Sequence, residues 1–141
     1  MLKNVKLARV NFPDSCKFIF PLEEVQVAVE RNKGKALKGS LIKVKASEIC
    51  TNPYLQSIAI HGSNVVDNHP ITTYNLRLED NFLVGDIEMV LDESVMRGIF
   101  LAKPPLYQFK PFAVNKFATV GSMNIVTELM FKEVNLLACQ Y

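Results

Sequence analysis

The stretch ITTYNLRLEDNFLVGDIEMVL, residues 71–91, decides the fold class. Ile71 to Leu78 and Phe82 to Leu91 are rich in β-branched and aromatic residues, and the polar Glu79-Asp80-Asn81 between them reads as the turn of a hairpin. Working outward, much of the remaining chain reads the same way. Val5 to Phe12 alternates Val5, Leu7 and Arg9 against Lys6, Ala8 and Val10, the pattern of a strand with one face partly buried. Lys17 to Phe20 is a second short apolar piece that stops at Pro21. Leu41 to Ala46 places apolar residues between Lys43 and Lys45, as an edge or surface strand does. Gln56 to Ile60 reads as a short strand, and His61 to Asn64 and Asp67 to Pro70 as loop on either side of Val65 and Val66. Downstream, Leu106 to Val114, Phe117 to Val120 and Asn124 to Ala138 are three further strand-like segments, the last long enough to bend near Lys132 or Glu133.

Two helices interrupt this pattern. Pro21 is suited to a helix start, Glu23 and Glu24 meet the positive end of the helix dipole, and Val25, Ala28 and Val29 share one face up to about Asn32. Asp92 is a candidate N-cap for a second helix reaching about Ala102, with Val95, Met96, Ile99 and Phe100 on one face, stopped by Lys103-Pro104-Pro105. No repeat or linker divides the 141 residues. The expectation is one α+β domain over residues 1–141, a mostly antiparallel sheet or closed β-barrel carrying two helices.

Composition narrows the class. With 49% hydrophobic and 21% charged residues the chain can bury a sizeable core, and six Gly and seven Pro exclude collagen-like and low-complexity readings. No apolar run approaches the roughly 20 residues of a membrane span, and MLKNVKLARVNF lacks the apolar region of a signal peptide. The net charge of +2 is unevenly spread: residues 1–45 hold ten Lys and Arg against four Asp and Glu, and residues 46–141 hold six against ten. Cys16, Cys50 and Cys139 are too few for a closed disulfide set and read as free thiols. No CxxC, HExxH or DxDxDG spacing is present, so neither a metal site nor any other cofactor is expected.

Candidate chemistry is sparse. Seven serines and two histidines are present, none in a GxSxG elbow. Ser63 lies close to His61 in a stretch whose Gly-Ser-Asn composition already explains a turn, and His69 precedes Pro70. The basic stretch Lys33, Lys35, Lys38, Lys43 and Lys45 raises the local potential for an acidic protein surface or phosphate. Residues 33–45 contain no aromatic side chain to stack a base, so nucleic acid is the weaker partner on these residues. Tyr107, Phe109, Phe112, Phe117 and Phe131 concentrate the aromatics late in the chain. Lys110-Pro111 among them points to a bulge, an edge or an interface, because proline cannot donate in a central strand.

The order of these pieces resembles the prohead maturation proteases of tailed bacteriophages, distant relatives of the herpesvirus assemblins. Phe20-Pro21-Leu22-Glu23-Glu24-Val25 with Ala28-Val29, then Gly39-Ser40-Leu41, is similar to that family's early helix and following strand. His69-Pro70-Ile71, Leu83-Val84-Gly85-Asp86-Ile87-Glu88, Lys110-Pro111-Phe112-Ala113 and Glu133-Val134-Asn135-Leu136-Leu137 resemble its later motifs, so the likeness spans about residues 18–138. The resemblance implies a serine endopeptidase with a histidine near Ile42 or Lys43 and a serine within residues 103–112. Neither position holds one: KPPLYQFKPF has no serine.

The expectation is therefore a bacteriophage structural or assembly protein, in the host cytoplasm or the virion, on a protease-like scaffold without catalytic residues. Its partners would be capsid, scaffold or tail proteins, or further copies of itself. Its interaction surfaces would be Lys33, Lys35, Lys38, Lys43 and Lys45, and an apolar patch formed by Tyr107, Phe109, Lys110 and Phe112. Two rivals remain open. One is an active endopeptidase with a displaced site built from His69 with Ser122 or Ser63. The other is a small interaction module, of phage or host-directed origin, that uses the edge near Lys43 and Lys45.

Overall fold

The computed structural model describes residues 1–14, 17–45, 65–103 and 106–139, and the side chains of 65–69 are left aside. In chain order the elements are β1 (Leu2–Arg9), β2 (Phe18–Ile19), α1 (Leu22–Arg31), β3 (Leu37–Lys43), β4 (Val65–Glu79), β5 (Phe82–Met89), α2 (Glu93–Phe100), β6 (Tyr107–Val120) and β7 (Met123–Ala138). One sheet holds all the strands of the described residues, in the order β1-β5-β4-β3-β7, with β6 antiparallel along β7 and β2 parallel to the start of β7. Apart from the parallel pairings of β7 with β3 and β2, the sheet is antiparallel. The α+β class holds, with two helices among the described residues, and no described helix is long and apolar enough to cross a membrane.

The closed barrel does not form. The sheet curls into a half-barrel, and its end strands β1 and β6 come near each other with no register pairing between them. Inside the curl lie Leu7, Val25, Ile71, Ile87, Ile99, Val114, Val126, Leu129 and Leu136, all at most 3% exposed. Helix α1 contributes Val25 and Ala28 to this core, and α2 contributes Ile99. The α1 start at Pro21 is as expected, and the Leu22 N–H donates to Asn11 Oδ1 at 3.0 Å, which satisfies one of the first-turn donors.

The hairpin of residues 71–91 is present. Asp80 and Asn81 have φ of +48° and +65°, the paired positive values of a type I′ turn, whose twist matches that of the strands it joins. A second hairpin, β6 to β7, turns at Gly121-Ser122 with φ +61° at Gly121, as a type II′ turn requires. It absorbs the three late segments into two long strands, and neither strand ends at the register shifts between Phe112 and Phe117. Those shifts put extra residues on β7 between Leu129 and Glu133, where a bend near Lys132 or Glu133 is expected, and between Val126 and Glu128, and on β6 between Val114 and Lys116. Similarly, Asp67 to Pro70 are part of β4 rather than a loop. Two steps along β3, from Gly39 to Leu41, face four along β4, from Ile71 back to Asp67, and this irregularity accommodates Pro70.

The expected edge at Lys43 and Lys45 is overturned as well. Strand β3 is interior, flanked by β4 and β7, with Leu41 and Ile42 at most 2% exposed. Its approach to β7 is close: a Cβ on Gly39 would lie 1.7 Å from the Val134 carbonyl oxygen. One residue on, the Ser40 N–H donates to Asn135 Oδ1 at 2.8 Å, and regular pairing starts only at Leu41 and Leu136. Gln56 to Ile60 and the loop at His61 to Asn64 lie outside the described residues.

Candidate binding site

Strand β5 carries an acid in an apolar run. Asp86 is 4% exposed, between the buried Gly85 and Ile87. Burial of a carboxylate is costly unless donors surround it. Both neighbouring strands supply them by the same device. On β1, Leu2 to Val5 faces Ile87 to Gly85, and on β4, Tyr74 to Arg77 faces Asp86 to Val84, so each flank carries one extra residue at this point. The strands kink there through Asn4 (φ +56°) and Asn75 (φ +53°), asparagine being one of the few residues that tolerates this left-handed geometry.

These bulges aim donors at the carboxylate. The Asn4 backbone N–H donates to Asp86 Oδ1 at 3.1 Å, and Asn75 Nδ2 donates to Oδ2 at 3.1 Å. Arg77 Nη2 lies 3.3 Å from Oδ1, and the exposed Lys3 ammonium 3.7 Å from Oδ2. The Asp86 pKa falls to about 2, first through the Asn4 N–H, then through the Asn75 amide and Arg77. Arg77 is itself fixed: Nε donates to Glu79 at 3.0 Å, Nη1 to the Asn75 carbonyl at 2.9 Å, and Nη2 also to Asn4 Oδ1. The Glu79 hydrogen bond is the largest of the effects raising the Arg77 pKa, with Asp86 adding to it.

A cavity of about 370 Å³ opens over this group, lined by Asn75, Arg77 and Asp86 and by the turn from Asn32 to Lys35 that follows α1. That turn closes with Lys35 N–H to Asn32 O at 3.0 Å, and Gly34 takes the positive φ of +76° at its third position. Two residues of the expected basic surface, Lys33 and Lys35, are thus brought to Arg77. The other three are not. Lys38 donates to Thr72 Oγ1 at 3.1 Å, and Lys43 and Lys45 lie exposed at the far end of β3.

Of the expected aromatic patch, two of the four residues are buried. Phe109 and Lys110 are 6% and 4% exposed, and Tyr107 and Phe112 are partly buried. Phe100 of α2 meets Tyr107 edge-on at 4.9 Å and stacks near Phe109 at 6.5 Å, so these rings close the core under α2. Of the bulge, edge or interface read from Lys110-Pro111, the edge agrees with the strand order, since among the described residues β6 pairs only with β7. Of the displaced catalytic set, His69 lies in β4, Ser122 is exposed in the β6–β7 turn, and Ser63 falls outside the described residues. The β4 segment before Ile71 runs beside β3 residues that pair with Leu136 to Ala138, whereas Ser122 precedes Met123 at the opposite end of β7.

Between the end strands lies a second groove of about 430 Å³, lined by Leu2 to Lys6 of β1 and Tyr107 to Phe109 of β6. Comparison with protein-family models, curated proteins and solved structures gives no match. Sequence reasoning passed over Asn4, Asn75, Arg77 and Asp86. The available signal was compositional: Asn is depleted in strands, and here two fall in strands that flank an Asp set between apolar residues.

Proposed function

We propose that the chain is a bacteriophage structural or assembly protein, associated with the head or another part of the virion, that binds its partner without cleaving it. The observation carrying this reading is the open seam. Two strands that are edges among the described residues face each other across a groove, and the backbone groups of an edge are a template for an added strand. The partner is an extended segment of a capsid, scaffold or tail protein with acidic side chains. Charge supports that choice: β1 bears Lys3, Lys6 and Arg9 and no acid. The lack of a serine in residues 103–112, where the resemblance would put the nucleophile, supports the absence of proteolysis.

The test is incubation of the purified protein with the cognate capsid or scaffold protein, followed by sizing and mass spectrometry. The reading predicts a complex of intact chains. It predicts that Lys6→Glu with Gln108→Glu, which puts acid on both walls of the seam, weakens the complex at least about tenfold, roughly 1.4 kcal/mol. Specific cleavage abolished by Ser122→Ala or Ser63→Ala would instead establish an endopeptidase.

A further inference from the structure

We propose that the cavity between the α1–β3 turn and the Asp86 bulges binds a dianionic oxyanion of the phosphate type. This goes beyond the seam reading and concerns a different surface. Three cationic side chains line the cavity, Lys33, Lys35 and Arg77, against the carboxylate of Asp86, and just beyond the lining Lys3 and Glu79 add one charge of each sign, which leaves a surplus of two positive charges. The lysines are uncommitted: among the described residues neither Lys33 nor Lys35 has an ion-pair or side-chain hydrogen-bond partner, and both are exposed. Arg77 is the opposite, held in one orientation by Glu79, Asp86 and the Asn75 carbonyl. Those bonds and the one to Asn4 occupy four of the five N–H groups a guanidinium carries, and an Nη1 hydrogen remains.

The combination suits an anion for a physical reason. A fixed guanidinium loses little freedom on binding, and two lysine ammonium groups on flexible stems close from the turn side. Asp86 does not block the anion, because its oxygens are already engaged by Asn4, Asn75, Arg77 and Lys3. A dianion matches the surplus charge, and a monoanionic carboxylate leaves one charge unmatched. The ligand is a free phosphate or the phosphate monoester of a larger molecule.

The experiment is amide NMR titration of the full chain at about pH 8, where a phosphate group is largely dianionic. Inorganic phosphate, phenyl phosphate and acetate are compared at matched ionic strength. The expected result is saturable shifts at residues 32–35 and 75–77 with a Kd on the order of 1 mM for phosphate, and at least about fivefold weaker binding of acetate. Phenyl phosphate binding more tightly than phosphate assigns a monoester, and equal or weaker binding assigns the free ion. Lys33→Gln with Lys35→Gln, both on exposed positions, is expected to weaken phosphate at least about tenfold with unfolding temperature unchanged. Absence of saturable shifts, equal affinity for acetate, or undiminished binding by the folded double variant overturns the proposal.

Discussion

Asp86 and Asn135 solve the same problem in two regions of one sheet, and they solve it differently. Each is a buried polar side chain that accepts a backbone N–H left over where strand pairing is irregular: Asn4 for Asp86, Ser40 for Asn135. At β3 and β7 the acceptor is neutral, and the strands are pressed together at Gly39 and Val134. At β1, β5 and β4 the acceptor is a carboxylate, and it gathers Arg77 and Lys3 beneath an open, lysine-lined cavity. A neutral amide suffices where the only task is to satisfy the backbone. A carboxylate also orients a guanidinium, which an amide does far less strongly. The first region is therefore structural and the second is suited to recognition.

The largest expected effect breaks the tight region. Gly39→Ala places a Cβ against main-chain oxygen, and the expected destabilisation exceeds the roughly 1–3 kcal/mol of ordinary overpacking, read by urea unfolding. Next is Asp86→Ala, which strips the Asn4 N–H and Arg77 of their acceptor, at a cost of about 3 kcal/mol. Asp86→Asn sharpens the comparison through pH. The folded-state pKa of Asp86 lies below the unfolded value, so its charge stabilises the fold above about pH 4 and that contribution fades as pH falls toward 2. The wild type should lose about 2 kcal/mol over that window relative to Asp86→Asn. Asn135→Ala leaves the Ser40 N–H unmet, for about 1–3 kcal/mol with no comparable acid dependence. The smallest effect has the opposite sign. The Thr73 hydroxyl is buried without a hydrogen-bond partner among the described residues, so Thr73→Val should be neutral or stabilising by up to about 1 kcal/mol in thermal unfolding.

Much of the fold was legible in local signals. The hairpin at Asp80-Asn81, the helix after Pro21 and the helix after Asp92 each declare themselves through turn chemistry or helical spacing. The place of β3 was hidden, because alternating lysines describe a strand's exposed positions and say nothing about its lateral neighbours. The closed barrel failed for a related reason: whether β1 pairs with β6 depends on curvature summed over all the strands between them. Of the candidate site, Lys33 and Lys35 were found by charge, but Arg77 and Asp86 were not. The acid lies between apolar neighbours, and its donors come from bulges that only strand register reveals.

The central claim is that the open seam takes up a partner strand. Hydrogen exchange of the backbone amides, with and without a synthetic acidic segment of the cognate capsid or scaffold protein, tests it most directly. The account predicts added protection concentrated in residues 2–6 and 107–109, with the segment recovered intact. Protection confined to other strands, or cleavage of the segment, would contradict it.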